Sequence, residues 1–152
     1  MTGVQTCALP IYNPAGFNAI AKFLEKIDAK PKVGVIAGVG DRRDEDIIEL
    51  GFLAAKMFDE IIIRQDKHLR GRTEQQITDL IITGIHQQDE KKNAKVFNKE
   101  TDAIEYVIKH AKKGSFITIC SDVVPDALDQ IMKYKEIDDK FEFTNADIPN
   151  QH

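Results

Sequence analysis

A chain of 152 residues with 42% hydrophobic residues is long enough to bury one core and leaves little room for a second. Its net charge of −4, from 21 Lys plus Arg against 25 Asp plus Glu, gives no overall basic surface for non-specific nucleic-acid binding, so any anion recognition is local. Its apolar runs are short and flanked by charges, far from the ~20 apolar residues that a membrane-spanning helix requires.

Residues 1–11, M-T-G-V-Q-T-C-A-L-P-I, lack the basic start and long apolar run of a secretory signal. They resemble a non-native leader carried by unrelated reading frames. They are expected to stand outside a single domain over 12–152. Asn13-Pro14 then opens a helix, since Asn caps well and Pro suits the first helical position. Phe17, Ile20, Leu24 and Ile27 give that helix one apolar stripe. The run Val33-Gly34-Val35-Ile36-Ala37 within 32–38 predicts a strand covered on both faces, and hence a parallel sheet.

The next helix is predicted over about 44–58, with Ile47, Gly51, Ala54 and Phe58 on one face and acidic residues in the first turn, where the helix dipole favours them. A second buried strand follows at 60–64. Thr73 and Gln76 have capping-box spacing for a helix bearing Ile77, Leu80, Ile81 and Ile85. Lys95-Val96-Phe97 reads as a short strand. Thr101 is expected to cap a helix carrying Ile104, Val107, Ile108 and Ala111, and Gly114 to close it. A strand at 116–120, a helix at about 125–135 and an edge strand at 141–144 complete the order. This succession specifies an α/β fold: a Rossmann-like, doubly wound, mostly parallel sheet with helices on both faces.

Ligands of such sheets bind beyond the carboxyl ends of the strands, which here are the loops 38–43, 64–72, 98–99 and 121–122. All five arginines, Arg42, Arg43, Arg64, Arg70 and Arg72, fall in the first two of these segments, and every other basic residue apart from histidine is lysine. Arginine offers a planar fork that holds carboxylate or phosphate through two hydrogen bonds, which lysine cannot. A structural reading competes with this: the arginines pair with Asp41, Asp44 and Asp66 and pin the loops. Both readings are open on the sequence, and one side chain can serve both.

Other motifs point nowhere. Gly34-x-x-x-Gly38-x-Gly40 fails the G-x-G-x-x-G pattern, and no G-x-x-x-x-G-K-[ST] phosphate loop occurs, so neither NAD binding nor a complete ATPase is expected. Cys7 and Cys120 lack Cys-x-x-Cys or His-x-His spacing and outline no zinc site. Cys120 reads as core. His86 and His110 near helix ends read as solvent-facing, whereas His68 inside the arginine-bearing loop is placed to touch a ligand or to serve structurally.

Two segments carry a resemblance. G-V-I-A-G-V-G-D-R-R-D-E-D-I, at 34–47, and I-I-I-R-Q-D-K-H-L-R-G-R-T, at 61–73, resemble the Mur ligase C-terminal domain family, in its cyanophycin synthetase branch. Y-N-P-A-G-F at 12–17 is similar to that family's D-Y-x-H-N-P-A-G segment, without its Asp and His, and the family's usual first strand is expected to be missing. The resemblance implies a cytoplasmic, ATP- and Mg2+-dependent amide ligase, homo-oligomeric at full length, in which this domain closes over the reactants. It implies attachment of arginine to the β-carboxylate of an aspartate-containing peptide, through an acyl phosphate that the arginine amine attacks.

Carried over residue by residue, Asp41 and Arg42 match the family's G-D-R, and Arg72, Thr73 and Glu74 match the segment that grips the incoming amino acid. Asn13 matches the Asn of H-N-P. The resemblance thus implies that Asn13, Asp41 and Arg42 lie near the nucleotide, and that Mg2+ is held mainly by a central domain outside this chain. Arg72 with Asp66 or Asp122 would supply the cation and the carboxylate that an arginine substrate needs, with Arg70 and His68 alongside. No catalytic base is assigned, no metal ligand is expected in this domain, and the chain alone is expected to be inactive. The competing function is a stand-alone α/β module that senses a small anion.

Overall fold

Short strands, the first five each followed by a helix, assemble into a single six-stranded sheet. The computed structural model describes residues 3–10, 14–38, 40–121, 123–137 and 141–143. In chain order the elements are β1 (Val4–Pro10), α1 (Pro14–Glu25), β2 (Lys32–Ile36), α2 (Asp44–Met57), β3 (Glu60–Arg64), α3 (Glu74–Gln88), β4 (Ala94–Phe97), α4 (Glu100–Lys109), β5 (Phe116–Ser121), α5 (Val124–Ile137) and β6 (Phe141–Phe143). The strands lie in the order β4-β3-β2-β5-β1-β6, and every pairing is parallel.

The period of two along each strand divides the core between the faces. Ile61 and Ile63 of β3, with Phe116 and Cys120 of β5, face α1, α2 and α3, where they meet Phe17, Ile47 and Ile81. Ile62, Ile117 and Ile119 point the other way, onto Ile104, Val107 and Ile108 of α4 and Ala127 and Ile131 of α5. Burial on both faces is why these strands read as unbroken apolar runs. The expected doubly wound α/β architecture is the one observed. No helix among the described residues is long and apolar enough to cross a membrane.

The amino-terminal expectation is corrected. Residues 4–10 do not stand outside the fold but fill the slot between β5 and β6, with Gln5 to Pro10 in register against Phe116 to Ser121. A strand, β1, thus precedes the first helix. Val4, Cys7 and Leu9 join the core, and Thr6 is buried with no hydrogen-bond partner for its hydroxyl.

The capping box of α3 forms as its spacing predicts: Gln76 N donates to Thr73 Oγ1 at 3.0 Å and Thr73 N donates to Gln76 Oε1 at 2.8 Å. Helix α4, in contrast, begins at Glu100 with Lys99 as an N-cap that makes no side-chain bond, so Thr101 lies inside the first turn. The helix ends at Lys109, ahead of Gly114, which occupies the left-handed region at φ 82° in the turn before β5.

Candidate functional site

The carboxyl ends of β3, β4 and β5 and the amino ends of α4 and α5 surround a cleft of about 500 Å³. Among the described residues four carboxylates line it, Asp66, Glu74, Glu100 and Asp126, against the cations Arg64, Lys67 and Lys99. A wider hollow of about 820 Å³ adjoins it across Gln65, Leu69, Glu74 and Asn98, and is walled by Arg72, Thr73 and Gln75 at the start of α3.

Arg64 is the last residue of β3 and alternates with Ile62, so its side chain falls on the α4 side of the sheet, where it is only 2% exposed. A buried cation is costly unless paired and hydrogen-bonded. Its Nη2 donates to the carbonyl of Cys120 at 3.2 Å and lies 3.2 Å from Glu100 Oε1, while Nη1 is 3.8 Å from Asp66 Oδ1. The other oxygen of Glu100 accepts from Ser121 Oγ at 2.9 Å, and that hydroxyl in turn accepts from Val123 N at 3.2 Å. One guanidinium thus joins the ends of β3 and β5 to the first turn of α4.

The loops after β2 and β3 are held just as closely. Gly40 N donates to the carbonyl of His68 at 3.2 Å, and a Cβ at Gly40 would come within 2.1 Å of the carbonyl oxygen of Leu69, so only glycine permits this approach. Arg72 then clasps the first loop: Nε to Gly40 O at 3.2 Å, Nη2 to Arg42 O at 2.9 Å and Nη1 to Asp44 Oδ1 at 2.5 Å. Asp44 is thus the partner of Arg72, one of the carboxylates to which the structural reading assigned the arginines. Arg43 binds Asp46 through two bonds, at 3.0 and 3.1 Å, and these hold the Asp46 carboxyl below its usual range.

Of the residues singled out in the sequence, Asp66 and Glu74 line the cleft, and Arg72, Thr73 and Glu74 line the adjoining hollow. Asp41 and Arg42 are exposed on the neighbouring loop. His68 and Arg70 are exposed in the loop between β3 and α3, Arg70 with a left-handed backbone at φ 51°, and neither lines the cleft or the hollow. Asn13 and Asp122 lie outside the described residues. Glu100, Lys99, Asp126 and Gln130 were not anticipated. The signal for Glu100 was present, since it directly follows the strand-end loop 98–99, but placing the helix cap at Thr101 left it in a linker.

Burial pushes the thiols of Cys7 and Cys120 up to about 12, so neither is a nucleophile. Among the described residues no three His, Cys, Asp or Glu side chains are grouped to hold a metal ion. The first turn of α2 carries Asp44, Glu45 and Asp46, which satisfy the helix dipole and disfavour a phosphate there. Arg42 and Arg43 are both exposed on that loop, and both lower the Asp46 carboxyl.

Residues 12–123 match the family model described as Mur ligase, glutamate ligase domain. The chain is similar to the cyanophycin synthetase of Crocosphaera subtropica, 38% identical over 126 residues that cover 83% of this chain and 14% of that protein. It is similar to the same enzyme of Geminocystis herdmanii, 38% identical over 123 residues, again 14% of the relative's length. The chain thus spans about a seventh of the curated relatives it matches. Among solved structures, a UDP-N-acetylmuramoyl-L-alanyl-D-glutamate–2,6-diaminopimelate ligase superposes with a TM-score of 0.67 at 15% identity, over 86% of this chain and 30% of that one. E. coli FolC, solved in complex with ADP, gives 0.63 at 17% identity, over 84% and 28%. These structural likenesses show the fold.

Proposed function

The chain belongs to the Mur ligase, glutamate ligase domain family, and from that premise we propose that it is the amino-acid-binding and closing part of an ATP-dependent amide ligase. The reaction proposed is that of its cyanophycin synthetase relatives. ATP converts the β-carboxylate of an aspartate in a peptide to an acyl phosphate, and the α-amine of arginine displaces the phosphate to form the amide.

The observation that carries this reading is the charge pattern of the strand-end cleft. Among the described residues its four carboxylates, Asp66, Glu74, Glu100 and Asp126, stand against three cations, Arg64, Lys67 and Lys99, which leaves one negative charge in excess. Such a cleft suits a guanidinium better than an anion, which favours a cationic amino acid over the small-anion sensor. Arg72 is proposed to take the substrate α-carboxylate at the rim, with Thr73 and Glu74 beside it and Asp122, Arg70 and His68 on the surrounding loops. Asn13, Asp41 and Arg42 are proposed to meet the nucleotide. The ion that accompanies ATP, Mg2+, neutralises phosphate charge in such reactions. The chain's proposed part is to orient the amine and exclude water from the acyl phosphate.

Calorimetric titration of the chain with L-arginine, L-lysine and L-glutamate tests the reading. Arginine is expected to bind most tightly, with lysine weaker because it lacks the planar fork. A preference for glutamate would sink it.

A further inference from the structure

We propose that Arg64 is a positioning residue of this site: it sets the carboxylate of Glu100 on the wall of the cleft and does so jointly with Ser121. The proposal rests on the reading that the cleft receives the charged end of an amino acid.

Arg64 is 2% exposed and contacts the carbonyls of Gln65 and Cys120 and the carboxylates of Asp66 and Glu100. Glu100 is different, with a side chain 21% exposed on the wall of the cleft. Its Oε1 faces Arg64 Nη2 at 3.2 Å and its Oε2 accepts from Ser121 Oγ at 2.9 Å, so two elements aim one carboxylate. Ser121 does not line the cleft. It reaches the site only through Glu100 and through its bond from Val123 N at 3.2 Å, the residue at which the last strand-end loop turns into α5.

The geometry therefore fixes a carboxylate whose Oε1 is buried against Arg64 and whose Oε2 is held by Ser121, so that it bears on a ligand in the cleft through its fixed negative charge and not through a free oxygen. A charge fixed in this way discriminates between ligands better than a mobile one, because no ordering is required at the moment of binding. Lysine at position 64 retains the charge but reaches a single acceptor at a time, and so releases either Glu100 or the Cys120 carbonyl.

The test measures the dissociation constants of arginine and lysine for the wild-type chain and for Arg64→Lys, Ser121→Ala and Glu100→Gln. Hydrogen exchange at the amides of 100–103 and 123–126 is followed in parallel. Arg64→Lys and Ser121→Ala are each expected to weaken arginine about tenfold, the scale of one hydrogen bond to a charged group, and to narrow the arginine-to-lysine ratio. Exchange should rise in both segments while thermal unfolding stays cooperative. Lowered melting temperature with unchanged ligand constants would assign Arg64 to stability alone and overturn the proposal. Loss of binding in Arg64→Lys with none in Ser121→Ala would overturn it too, since Arg64 would then act on the ligand directly. If Arg64→Lys does not fold, Ser121→Ala and Glu100→Gln decide by the same criteria. A wild-type chain that binds no amino acid sinks the substrate reading. The exchange arm then decides alone, and unchanged exchange in Arg64→Lys overturns the positioning role.

Discussion

The guanidinium of Arg72 carries five N–H donors, and three acceptors of its own chain engage them: Gly40 O, Arg42 O and Asp44 Oδ1. Arg72 thus pins the loops, and its pairing with Asp44, 58% exposed, is a contact between this guanidinium and a carboxylate. Arg72→Lys retains the charge and loses the fork, with an expected cost of about 1–2 kcal/mol of stability for the two carbonyl bonds. In a ligase bearing this domain it should also lower kcat/KM for arginine roughly tenfold or more. Asp44→Ala should act in the opposite sense on the substrate, because it removes the acceptor of Nη1; unchanged arginine affinity in both variants would remove Arg72 from the site. Which arginine pairs with which aspartate is a tertiary matter that no sequence can assign among so many adjacent charges. Exposed as it is, Arg42→Lys should change stability by less than about 0.5 kcal/mol, as for other surface substitutions, with any effect confined to nucleotide use.

Most of the elements were legible because their residues obey one period throughout. Val33 to Ala37, Ile61 to Ile63 and Phe116 to Cys120 are apolar on both faces, and α3 announces its start through Thr73 and Gln76. β1 was not read, because residues 1–11 were set aside for their resemblance to a non-native leader, whereas its residues pair in register with β5 and β6. Deleting 1–10 should therefore open the sheet between those strands and cost more than about 4 kcal/mol, the range of exceptional single defects. A truncated chain whose urea midpoint stays near that of the full chain would show the strand to be dispensable. Thr6→Val should do the reverse and raise stability by about 1 kcal/mol, since it replaces a buried hydroxyl without a partner by a methyl group of similar volume. The site was half legible. The loops that carry it follow from strand order, but Glu100 enters it through a tertiary contact with Arg64 that no local pattern encodes. Helix packing sets a firmer limit at Gly84, where a Cβ would come within 1.8 Å of the carbonyl oxygen of Ile48 in α2. Gly84→Ala should force α2 and α3 apart and lower stability by about 1–3 kcal/mol, read as a shift in the unfolding midpoint.

On the scale of the whole molecule, the cleft is open and the acyl phosphate it would serve is labile to water. A single α/β layer with its ligand loops facing outward can bind an amino acid but cannot by itself enclose a second reactant; closure against another surface supplies that exclusion. The chain also carries no G-x-x-x-x-G-K-[ST] segment to cradle ATP phosphates. The purified chain is accordingly expected to release no phosphate when ATP, Mg2+, an aspartate-containing peptide and arginine are supplied together. Arginine-stimulated release by the chain alone would contradict this. The complementary measurement uses the Crocosphaera subtropica enzyme, of which this chain matches a seventh, with the corresponding segment replaced by residues 3–143. If the strand-end cleft is the amino-acid site, the chimera should regain arginine-dependent turnover, and Arg64→Lys within it should raise KM for arginine more than it lowers kcat. A chimera that hydrolyses ATP without arginine dependence would place the amino-acid site on the other side of the closure, and this domain's part would then be closure alone.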